Sequence, residues 1–599
     1  MNYLLLTLGH NSSAIFVDNS KDKQEIIGYE QERLSRIKSD SSFPIDAINE
    51  IEKNIGFDKM CGCTILISHW FNSTFRGENN HQFSSIIKGE SKYMTSLNMS
   101  KLRSYNPKEI KCVNSEFTHH DAHAMSAYAF FKYCSPSEVK DYRPCHILVA
   151  DGFGTDEEVI SLYASFRKDA KPELIMRAYG YQFSLGLFYQ YATSYCGMKE
   201  NQDEYKFLGY EPHVDEVLSN SQIFTISGHI EKTVRYFTKS WEQSTSRPTD
   251  LPADKVINFE SLECTKESWY SKFDEVCEDV FGSEFVKESF NVRCAIAYFI
   301  QQTCEKAILT LLDTYCVKNL IVAGGVFYNV KLNNRIVDAM LNSTICIMPL
   351  AGDQGAAIGM YEAEDDAPAF SFNTLAWGKR SLNGFEKLSK NIAGVVFRNI
   401  NMKSAFRNSM LEELANNIAK DIANGALVNL VFGNMEFGPR ALCNTSTLFL
   451  PTVENVEFNN TMNNRNEVMP CAPVCTMKNS LELFYRTELT RVIGSDRFMI
   501  CTHVFKKPFS KQYGGVMHKK TLSEIYTGRP QIVRNDSFMH MLLNKVEELT
   551  DAKCLVNTSF NVHGNPIVFD TKDIIDNFIS QREHAKLGHE PKLYVIKLS

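Results

Sequence analysis

The sequence predicts an α/β protein of at least two domains, and three observations lead to this prediction. Apolar runs typical of buried strands end in glycine turns, as in "YLLLTLGHNSSAIFVD" near the N-terminus and "HILVADGFGTDEEVISLYASF" at 146–166. Two further stretches, "LIVAGGVFYNVKLNNRI" and "CIMPLAGDQGAAIGMYEA", have the pattern of strand, glycine loop and helix. The length of 599 residues also exceeds what one hydrophobic core usually holds. Because glycine turns after buried strands let backbone N–H groups approach phosphate, the set indicates a nucleotide-binding fold of two related lobes.

The elements can be assigned in chain order. The N-terminal run predicts a hairpin whose glycine turn faces a ligand, and residues 146–166 repeat that design. Residues 288–320 carry apolar residues at helical spacing and predict a long buried helix that leads into the "LIVAGG" strand. The pattern loosens from about 362 to 400, which places two domains at 1–370 and 371–599. The second domain then continues with a helix that ends at Gly425 and a strand that follows it.

The overall composition narrows the class of protein. The net charge of -7, with 44% hydrophobic and 23% charged residues, gives no global reason to expect a nucleic acid or an anionic membrane as partner. Basic clusters such as "KKPFSKQ" leave polynucleotide contact open. The 17 cysteines form no paired CxxC framework, which favours reduced thiols in a cytosolic compartment. The N-terminus lacks the pattern of a signal peptide or a membrane span, so we expect a cytoplasmic protein without a membrane partner.

The stretch "HHDAHAMSAYAFF" places two histidines four residues apart. This spacing puts His119 and His123 on one helical face, within reach of one metal ion, while His120 points elsewhere. A packed helix with structural histidines is an equally good interpretation of this stretch alone. Further ligands would have to come from Asp151 in "VADGFGT" and Asp353 in "LAGDQGAA", each at the end of an apolar strand. A mixed histidine and carboxylate set suits Fe(II), Mn(II) or Zn(II) better than Ca(II).

An ordered set of motifs resembles the O-carbamoyltransferase family, which includes nodulation-factor, cephalosporin and tobramycin carbamoyltransferases. The motifs run from residue 9 to residue 568 and so cover nearly the whole chain. They are "GHNSSAIFVD", "EQERLSRIKSDSSFP", "HHDAHAMSAY", "VADGFG", "EYKFLGYEP", "VAGGVFYNVKLN", "AGDQGAAIG", "MEFGPRALCN" and "LVNTSFNVHGNPIV".

This resemblance implies a two-domain enzyme. The larger N-terminal domain is similar to the tRNA threonylcarbamoyl-transferases, with an actin and sugar-kinase type of nucleotide fold and an iron held by the HxxxH pair. The C-terminal domain is similar to the threonylcarbamoyl-AMP synthases. In the family the C-terminal site joins carbamoyl phosphate and ATP into carbamoyl-AMP with release of pyrophosphate, and the N-terminal site transfers the carbamoyl group to a hydroxyl. The expected cofactors are therefore Fe(II) or another divalent transition metal, with Mg(II) accompanying ATP.

The resemblance also implies roles for particular residues. His10 matches the family's candidate for the general base, although a turn histidine bonded to backbone is the alternative. Lys38 would offset phosphate charge, although a solvated surface lysine is as good an interpretation. The implied metal ligands are His119, His123, Asp151 and Asp353. The implied nucleotide-binding residues are Gly152, Gly154, Thr155, Gly324, Gly325 and Asn329. The implied residues of the C-terminal carbamoyl phosphate and ATP site are Glu436, Arg440, Arg465, Arg529, Asn557, Ser559 and Asn561.

The second domain departs from the family pattern in its charges. Where the family reads roughly GRxEFGPRALGNRS, this chain has Asn434 and Thr445 in place of arginines and Cys443 in place of a glycine. Further on, Asn463 replaces a lysine and Met469 an arginine. Each charge-assisted contact is worth on the order of 1.5–3 kcal/mol, so losing four without replacement would cripple the pocket. The site is then either rearranged and active, with "HVFKKPFSKQYGGVMHKK" as one source of cations, or attenuated, so that the N-terminal site uses carbamoyl-AMP made elsewhere or the domain is regulatory.

The acceptor cannot be derived from these motifs, because the family shares its donor chemistry and varies its acceptor. A small-molecule hydroxyl is the first expectation, and the hydroxymethyl group of a modified pyrimidine in a nucleotide or in DNA is the second. A tRNA threonylcarbamoyl-type transferase and a non-catalytic nucleotide-binding protein are the alternatives. A homodimer is the oligomer expected if the chain associates.

Overall fold

The computed structural model describes residues 1–20, 23–69, 95–134, 145–165, 171–250, 260–372, 374–465, 471–485, 491–585 and 590–599. The chain divides into two compact units. The first unit contains residues 1–31, 39–373 and 488–495, and the second contains residues 32–38, 374–487 and 496–599. The sequence predicted a single boundary, between residues 370 and 371. It did not predict that residues 32–38 belong to the second unit or that residues 488–495 belong to the first.

The strands are short and most are buried. In chain order they are β1 (Tyr3–Thr7), β2 (Ser13–Asp18), β3 (Glu25–Glu30), β4 (Thr64–Ser68), β5 (Glu109–Cys112), β6 (Cys145–Ala150), β7 (Glu158–Ser165), β8 (Glu173–Tyr179), β9 (Leu320–Ala323), β10 (Thr344–Ile347), β11 (Val395–Ile400), β12 (Val428–Phe432), β13 (Thr445–Phe449), β14 (Ala472–Cys475), β15 (Phe484–Tyr485), β16 (Arg491–Ile493), β17 (His503–Phe505), β18 (His518–Lys519), β19 (Tyr526–Gly528), β20 (Gln531–Ile532), β21 (Leu555–Ser559) and β22 (Lys592–Leu598).

The α-helices range from single turns to seven turns. In chain order they are α1 (Gln31–Ser35), α2 (Ile45–Ile55), α3 (Phe57–Met60), α4 (Ser96–Ser104), α5 (His119–Cys134), α6 (Leu185–Tyr195), α7 (Glu204–Phe207), α8 (Val214–Val217), α9 (Asn220–Gln243), α10 (Leu262–Phe281), α11 (Phe290–Thr314), α12 (Val330–Ala339), α13 (Asp353–Glu362), α14 (Phe385–Ser389), α15 (Arg407–Ala423), α16 (Val453–Met462), α17 (Met477–Leu483), α18 (Phe538–Thr550) and α19 (Thr571–Glu583).

The first unit contains two mixed sheets that repeat one strand order. The five-stranded sheet has the order β3-β2-β1-β4-β5, and the six-stranded sheet has the order β8-β7-β6-β9-β10-β16. In both sheets three antiparallel strands continue into parallel ones, since β1 pairs in parallel with β4 and β6 pairs in parallel with β9. The predictions of an α/β fold, of two related lobes and of hairpins at the N-terminus and at 146–166 are therefore confirmed.

Helices α5 and α13 pack against each other at a glycine. A Cβ atom added to Gly359 would lie only 1.7 Å from the backbone oxygen of Ala122. No other residue type fits this contact without moving the two helices apart. Within α5 every residue from His119 to Phe131 except Asp121 is buried, so the helix is part of the core as well as a carrier of histidines.

Two predicted helices are present near their expected ends. The helix expected within residues 288–320 is α11, which leads through a short turn into β9. The helix expected to end at Gly425 is α15, and Gly425 adopts a φ of 88°, in the left-handed region that favours glycine at helix ends. The strand expected after it is β12.

The second unit is built on a seven-stranded mixed sheet with the order β11-β22-β12-β13-β21-β14-β20. Alternate residues of β22 enter two different core clusters. Tyr594 and Ile596 join the cluster that contains residues of α15 and α18, whereas Leu593 and Val595 join the one that contains Phe578 of α19. Because successive side chains of a strand point to opposite faces, helices cover both faces of this sheet. A four-stranded antiparallel sheet, β15-β17-β19-β18, completes the unit.

Among the helices of the described ranges, none is both long enough and apolar enough to cross a membrane.

Candidate functional site

Two histidines of α5 meet at their ring nitrogens. The Nε2 atoms of His119 and His123 are 3.0 Å apart, and each side chain is only 1% exposed. One helical turn separates the two residues, so both rings lie on the same face. His120 points away from this pair, and its Nδ1 atom lies 2.8 Å from Ser161 Oγ.

Two carboxylates complete the cluster from other elements. Asp151 follows β6, and its Oδ2 atom lies 3.4 Å from His119 Nε2 and 3.3 Å from His123 Nε2. Asp353 is the first residue of α13, and its Oδ1 atom lies 3.3 Å and 3.5 Å from the same two nitrogens. The four ligand atoms all lie within 4.8 Å of one another. The structure thus brings together all four residues that the sequence nominated as metal ligands.

The backbone fixes the orientation of both carboxylates. Asp151 Oδ1 accepts hydrogen bonds from the N–H groups of Gly152 (2.8 Å) and Gly325 (3.1 Å), so that Oδ2 turns to the histidines. Gly324 has a φ of 97°, and a Cβ atom there would lie 2.1 Å from the backbone oxygen of Ala150, so the loop needs glycine. Asp353 lies in the first turn of α13, where the positive end of the helix dipole stabilises a carboxylate.

The four groups shift one another's pKa values. Burial lowers the pKa of His119, but the carboxylates of Asp353 and Asp151 outweigh burial and raise it to about 10. Burial and His119 lower the pKa of His123, and the same carboxylates raise it overall. Burial and Asp151 raise the pKa of Asp353, but the histidines hold it at about 2, and they hold the pKa of Asp151 well below its usual range. The carboxylates therefore stay ionised and, without a metal, the histidines balance their charge by holding protons.

The residues fit a divalent metal ion. Ligand atoms that share one ion at about 2.0–2.2 Å lie about 3–3.5 Å from one another. Each histidine Nε2 atom lies 3.0–3.5 Å from the other and from the two carboxylate oxygens. Bound metal would displace the protons that the histidines hold. The other ring nitrogen of His119, Nδ1, is buried and has no hydrogen-bond partner among the described residues. The donor set of two imidazoles and two carboxylates matches Fe(II), Mn(II) or Zn(II).

The glycine loops implied as nucleotide-binding residues lie beside the cluster. A Cβ atom on Gly152 would meet no atom within 4 Å, whereas one on Gly154 would lie 2.6 Å from Glu158 Oε1. Thr155 uses its polar atoms within the protein, since its N–H donates to Glu158 Oε1 and its Oγ1 accepts from the N–H of His119. Gly325 lies against Asp151. Nucleotide binding by this loop stays a prediction.

Asn329 belongs to a separate polar group near the start of α12. Its side chain accepts from the N–H of Leu332 (3.0 Å) and donates to Gln301 Oε1 (2.7 Å). Gln301 in turn donates to Glu305 Oε1 at 2.7 Å, and burial together with the nearby Glu211 raises the pKa of Glu305 to about 8.

The two residues expected to act in catalysis belong to different units. His10 is exposed in the turn after β1, and Asn11 Nδ2 lies 3.0 Å from its Nε2 atom. Because an amide N–H can only donate, Nε2 is the acceptor in this pair. Lys38 lies in the segment 32–38 of the second unit, where its Nζ atom is 3.4 Å from Glu32 Oε1.

In the second unit three of the implied residues are close together. Arg465 Nη1 donates to Thr558 Oγ1 (2.9 Å), and its Nη2 lies 3.4 Å from both Ser559 Oγ and Asn561 Oδ1. Arg465 and Arg529 both lie near the buried thiol of Cys471. Burial raises the pKa of that thiol to about 11, against the lowering effect of the two guanidinium groups.

Two other implied residues are used by the protein itself. Glu436 is buried, and its Oε1 accepts from the N–H groups of Leu442 (2.7 Å) and Thr445 (3.2 Å). Asn557 is also buried and donates to the backbone oxygen of Ala441 (2.9 Å). Arg440 lies half-buried in the same loop. Glu436 and Asn557 therefore brace the loop 436–445.

Among the replaced residues, Cys443 and Asn463 have structural roles. Cys443 has a φ of 70°, in the left-handed region that favours glycine, which is the residue that the resemblance implied at this position. Asn463 is fully buried and bonds to Asn459 and Gln581, so it has become a structural amide. Asn434 is exposed. Met469 lies outside the described residues.

A cation that the sequence did not single out reaches Thr445. Arg380 is buried, donates to Thr445 Oγ1 and to the backbone oxygens of Val568 (3.1 Å) and Phe569 (3.0 Å), and lies 3.9 Å from Glu436 Oε2. It lies 65 residues before Thr445 in the chain, so no local pattern connects the two.

Comparisons with known proteins cover both units. Residues 5–361 match the family model described as carbamoyltransferase N-terminus, and residues 419–587 match carbamoyltransferase C-terminus. An uncharacterized protein of Methanocaldococcus jannaschii is 24% identical over 581 residues, 95% of each chain. The nodulation protein NolNO of Sinorhizobium fredii is 23% identical over 600 residues, 96% of this chain and 77% of that one. The nodulation protein NolO of Bradyrhizobium diazoefficiens is 24% identical over 477 residues, 77% of this chain and 76% of that one.

Proposed function

Since this chain belongs to the carbamoyltransferase family and is therefore a transferase enzyme, we propose that it transfers a carbamoyl group to a hydroxyl of a small molecule. The donor is carbamoyl-AMP. Water first cleaves carbamoyl phosphate into carbamate and phosphate, and a carbamate oxygen then attacks the α-phosphorus of ATP, with Mg(II), and displaces pyrophosphate. When the carbamoyl group passes to the hydroxyl, AMP is the leaving group. The second unit forms this donor, and the first unit carries out the transfer.

The observation that carries the proposal is the convergence of His119, His123, Asp151 and Asp353 beside two glycine loops. Carbamoyl transfer to an alcohol passes through a tetrahedral oxyanion, and catalysis requires positive charge where that oxygen develops. A divalent ion such as Fe(II), when bound, supplies Lewis acidity at this place. The chain's own contribution is to hold four ligand atoms in position and to keep both carboxylates ionised.

His10 is the group that takes the proton of the acceptor hydroxyl. An alcohol has a pKa far above 7 and must lose its proton as it attacks, so a base with a free lone pair is needed. The Nε2 atom of His10 has a lone pair, which accepts from Asn11 in this structure and becomes available to the acceptor hydroxyl when that hydroxyl replaces Asn11. The turn that carries His10 follows β1, and Thr7 at the end of β1 donates to the backbone oxygen of Asp353 (3.2 Å). This contact supports a place for His10 near the ligand cluster.

In the second unit, cations neutralise the phosphate groups of the donor-forming reaction. Arg465 and Arg529 are half-buried and carry the positive charge that an anionic substrate needs, with Ser559 and Asn561 beside Arg465. Arg380 holds the adjoining loop at Thr445.

The experiment that tests the proposal separates the two half-reactions. The protein is incubated with ATP, Mg(II), carbamoyl phosphate and Fe(II), and pyrophosphate release is measured with and without a panel of alcohols that includes 5-hydroxymethylpyrimidine nucleosides. Mass spectrometry then detects acceptors that have gained one carbamoyl group. We expect both pyrophosphate and a carbamoylated alcohol. If neither carbamoyl phosphate with ATP nor supplied carbamoyl-AMP leads to a carbamoylated acceptor, the proposal is wrong.

A further inference from the structure

A buried polar cluster lies behind the first turn of α5. Its two charged members, Glu158 on β7 and Arg177 on β8, were not nominated as site residues from the sequence. Glu158 is fully buried at the start of β7, and Arg177 is 5% exposed on β8. Such charges are rarely buried unless they are paired and hydrogen-bonded, so a specific arrangement holds them.

Glu158 uses its two oxygens for two different tasks. Its Oε1 atom accepts hydrogen bonds from the backbone N–H groups of His120 (2.8 Å) and Thr155 (3.1 Å). Its Oε2 atom forms an ion pair with Arg177 Nε at 3.1 Å. Thr155 Oγ1 accepts from the N–H of His119 at 3.1 Å. Two of the N–H groups that the start of α5 leaves without a helical partner are thus bonded to Thr155, in the loop that follows Asp151, and to Glu158, at the start of β7.

Arg177 ties the same helix start to the sheet. Its Nη2 atom donates to Asp121 Oδ1 (2.6 Å) and to Tyr163 OH (2.5 Å), and its Nε donates to Ser161 Oγ (3.0 Å). Asp121 and Thr118 form a reciprocal cap at this helix end, with the N–H of Thr118 donating to Asp121 Oδ2 (2.8 Å) and the N–H of Asp121 donating to Thr118 Oγ1 (3.3 Å). One guanidinium group therefore fixes both the cap and Glu158.

Gly154 supports the same arrangement from the loop side. A Cβ atom there would lie 2.6 Å from Glu158 Oε1 and 3.1 Å from His119 Cβ. The backbone of the loop therefore passes directly between Glu158 and the histidine helix, and a side chain would force them apart.

We propose that Glu158 and Arg177 are positioning residues for the metal ligands. They hold the start of α5, with His119 and His123, in a fixed place relative to Asp151, although neither touches the ligand atoms. This inference rests on the metal centre of the proposed function. Groups that orient metal ligands typically change metal affinity by 10- to 100-fold when they are removed.

The test uses Co(II), whose visible d–d absorption reports both affinity and ligand geometry. Glu158→Gln keeps the size of the side chain, but an amide has one oxygen and cannot both accept from His120 and Thr155 and face Arg177 with an acceptor. Arg177→Lys keeps the charge but loses the planar fork. We expect the Kd for Co(II) to rise at least 10-fold in both variants, with a shifted absorption spectrum and retained circular dichroism.

Tyr128→Phe is the matched control. This variant removes the buried hydrogen bond that Ser165 Oγ donates to Tyr128 OH (3.1 Å). Tyr128 lies on α5, two turns beyond His120. We expect this variant to melt at a lower temperature while its Co(II) affinity and spectrum stay those of the unmodified protein.

The outcomes separate this inference from the proposed function. A protein whose unmodified form binds no Co(II) would overturn the metal centre and the inference with it. Unmodified binding together with unchanged affinity and spectrum in Glu158→Gln and Arg177→Lys would overturn the positioning role alone. If Glu158→Gln does not fold, Thr155→Val removes only the acceptor of the His119 N–H, and an unchanged Co(II) spectrum in that variant and in Arg177→Lys overturns the inference.

Discussion

The cluster of the first unit and the loop 436–445 of the second unit use polar groups in opposite ways. In the first unit the Nε2 atoms of both histidines and one oxygen of each aspartate face one another. In the second unit Glu436 and Asn557 are bonded to the backbone of the loop 436–445, which contains Glu436 and which Asn557 reaches from β21. The first arrangement gathers ligand atoms that only a shared ion or proton can satisfy, whereas the second uses buried polar groups to hold a loop in shape.

This difference assigns separate consequences to substitutions in the two units. A change among the ligand atoms removes a binding function and leaves the fold, since the elements that carry them are held by other contacts. A change in the loop 436–445 first lowers the stability of the second unit, and it affects catalysis only as a consequence. We therefore expect variants of the ligand cluster to change metal binding, and variants of the loop 436–445 to change the free energy of unfolding.

The largest expected effect is that of His119→Ala. Removing one of four ligand atoms should reduce bound metal to background and lower carbamoyl transfer by about 100-fold or more. The reason is that the three remaining ligand atoms no longer surround the ion as the four did. Pyrophosphate formation should be unchanged. Metal content by mass spectrometry and the two half-reactions measured separately check this outcome.

His540→Ala is the control for that experiment. His540 is another helical histidine, on α18, where Asn544 Nδ2 lies 3.4 Å from its Nδ1 atom, and it belongs to no group of potential metal ligands among the described residues. It should retain metal and transfer. Loss of pyrophosphate formation in His119→Ala would contradict the division into two sites.

Much of the cluster could be predicted because its signals are local. A spacing of four places two histidines on one helical face, and a carboxylate directly after an apolar strand lies at the end of a sheet. The burial of α5 showed that the packed-helix interpretation and the ligand cluster are compatible, since His119 and His123 are buried and still face two carboxylates.

The partners of that cluster could not be predicted, because they depend on contacts between distant elements. Arg177 reaches Asp121 across 56 residues, and Arg380 reaches Thr445 across 65. Neither arginine lies in a motif. The pairing of β16 with β10, which brings residues 488–495 into the first unit, is likewise a long-range contact that leaves no local pattern.

The second prediction concerns Arg380 and stability. The side chains of Arg380 and Glu436 are 1% and 0% exposed, and breaking a buried ion pair by removing one partner typically costs about 3–5 kcal/mol. Arg380→Met should therefore lower the free energy of unfolding of the second unit by about 3 kcal/mol or more. Chemical denaturation followed by a probe in that unit measures the change.

A double variant tests whether the lost charge balance is the cause. Arg380→Met combined with Glu436→Gln removes both charges, so part of the lost stability should return. Equal stability of the single and double variants would show that Arg380 acts through its bonds to the backbone oxygens of Val568 and Phe569 instead.

The smallest of the three effects is expected for Arg465→Ala, and it decides whether the second unit has kept its chemistry. Arg465 lies beside the polar side chains of Thr558, Ser559 and Asn561, which together with its guanidinium group can bind an anionic substrate. Losing one charge-assisted contact of about 1.5–3 kcal/mol should slow pyrophosphate formation about 10- to 100-fold. Transfer from supplied carbamoyl-AMP should not change, and Arg534→Ala, at an exposed ion pair with Asp536, should alter neither reaction. An Arg465→Ala variant that forms pyrophosphate at the unmodified rate would show that the second unit uses other cations for its substrates.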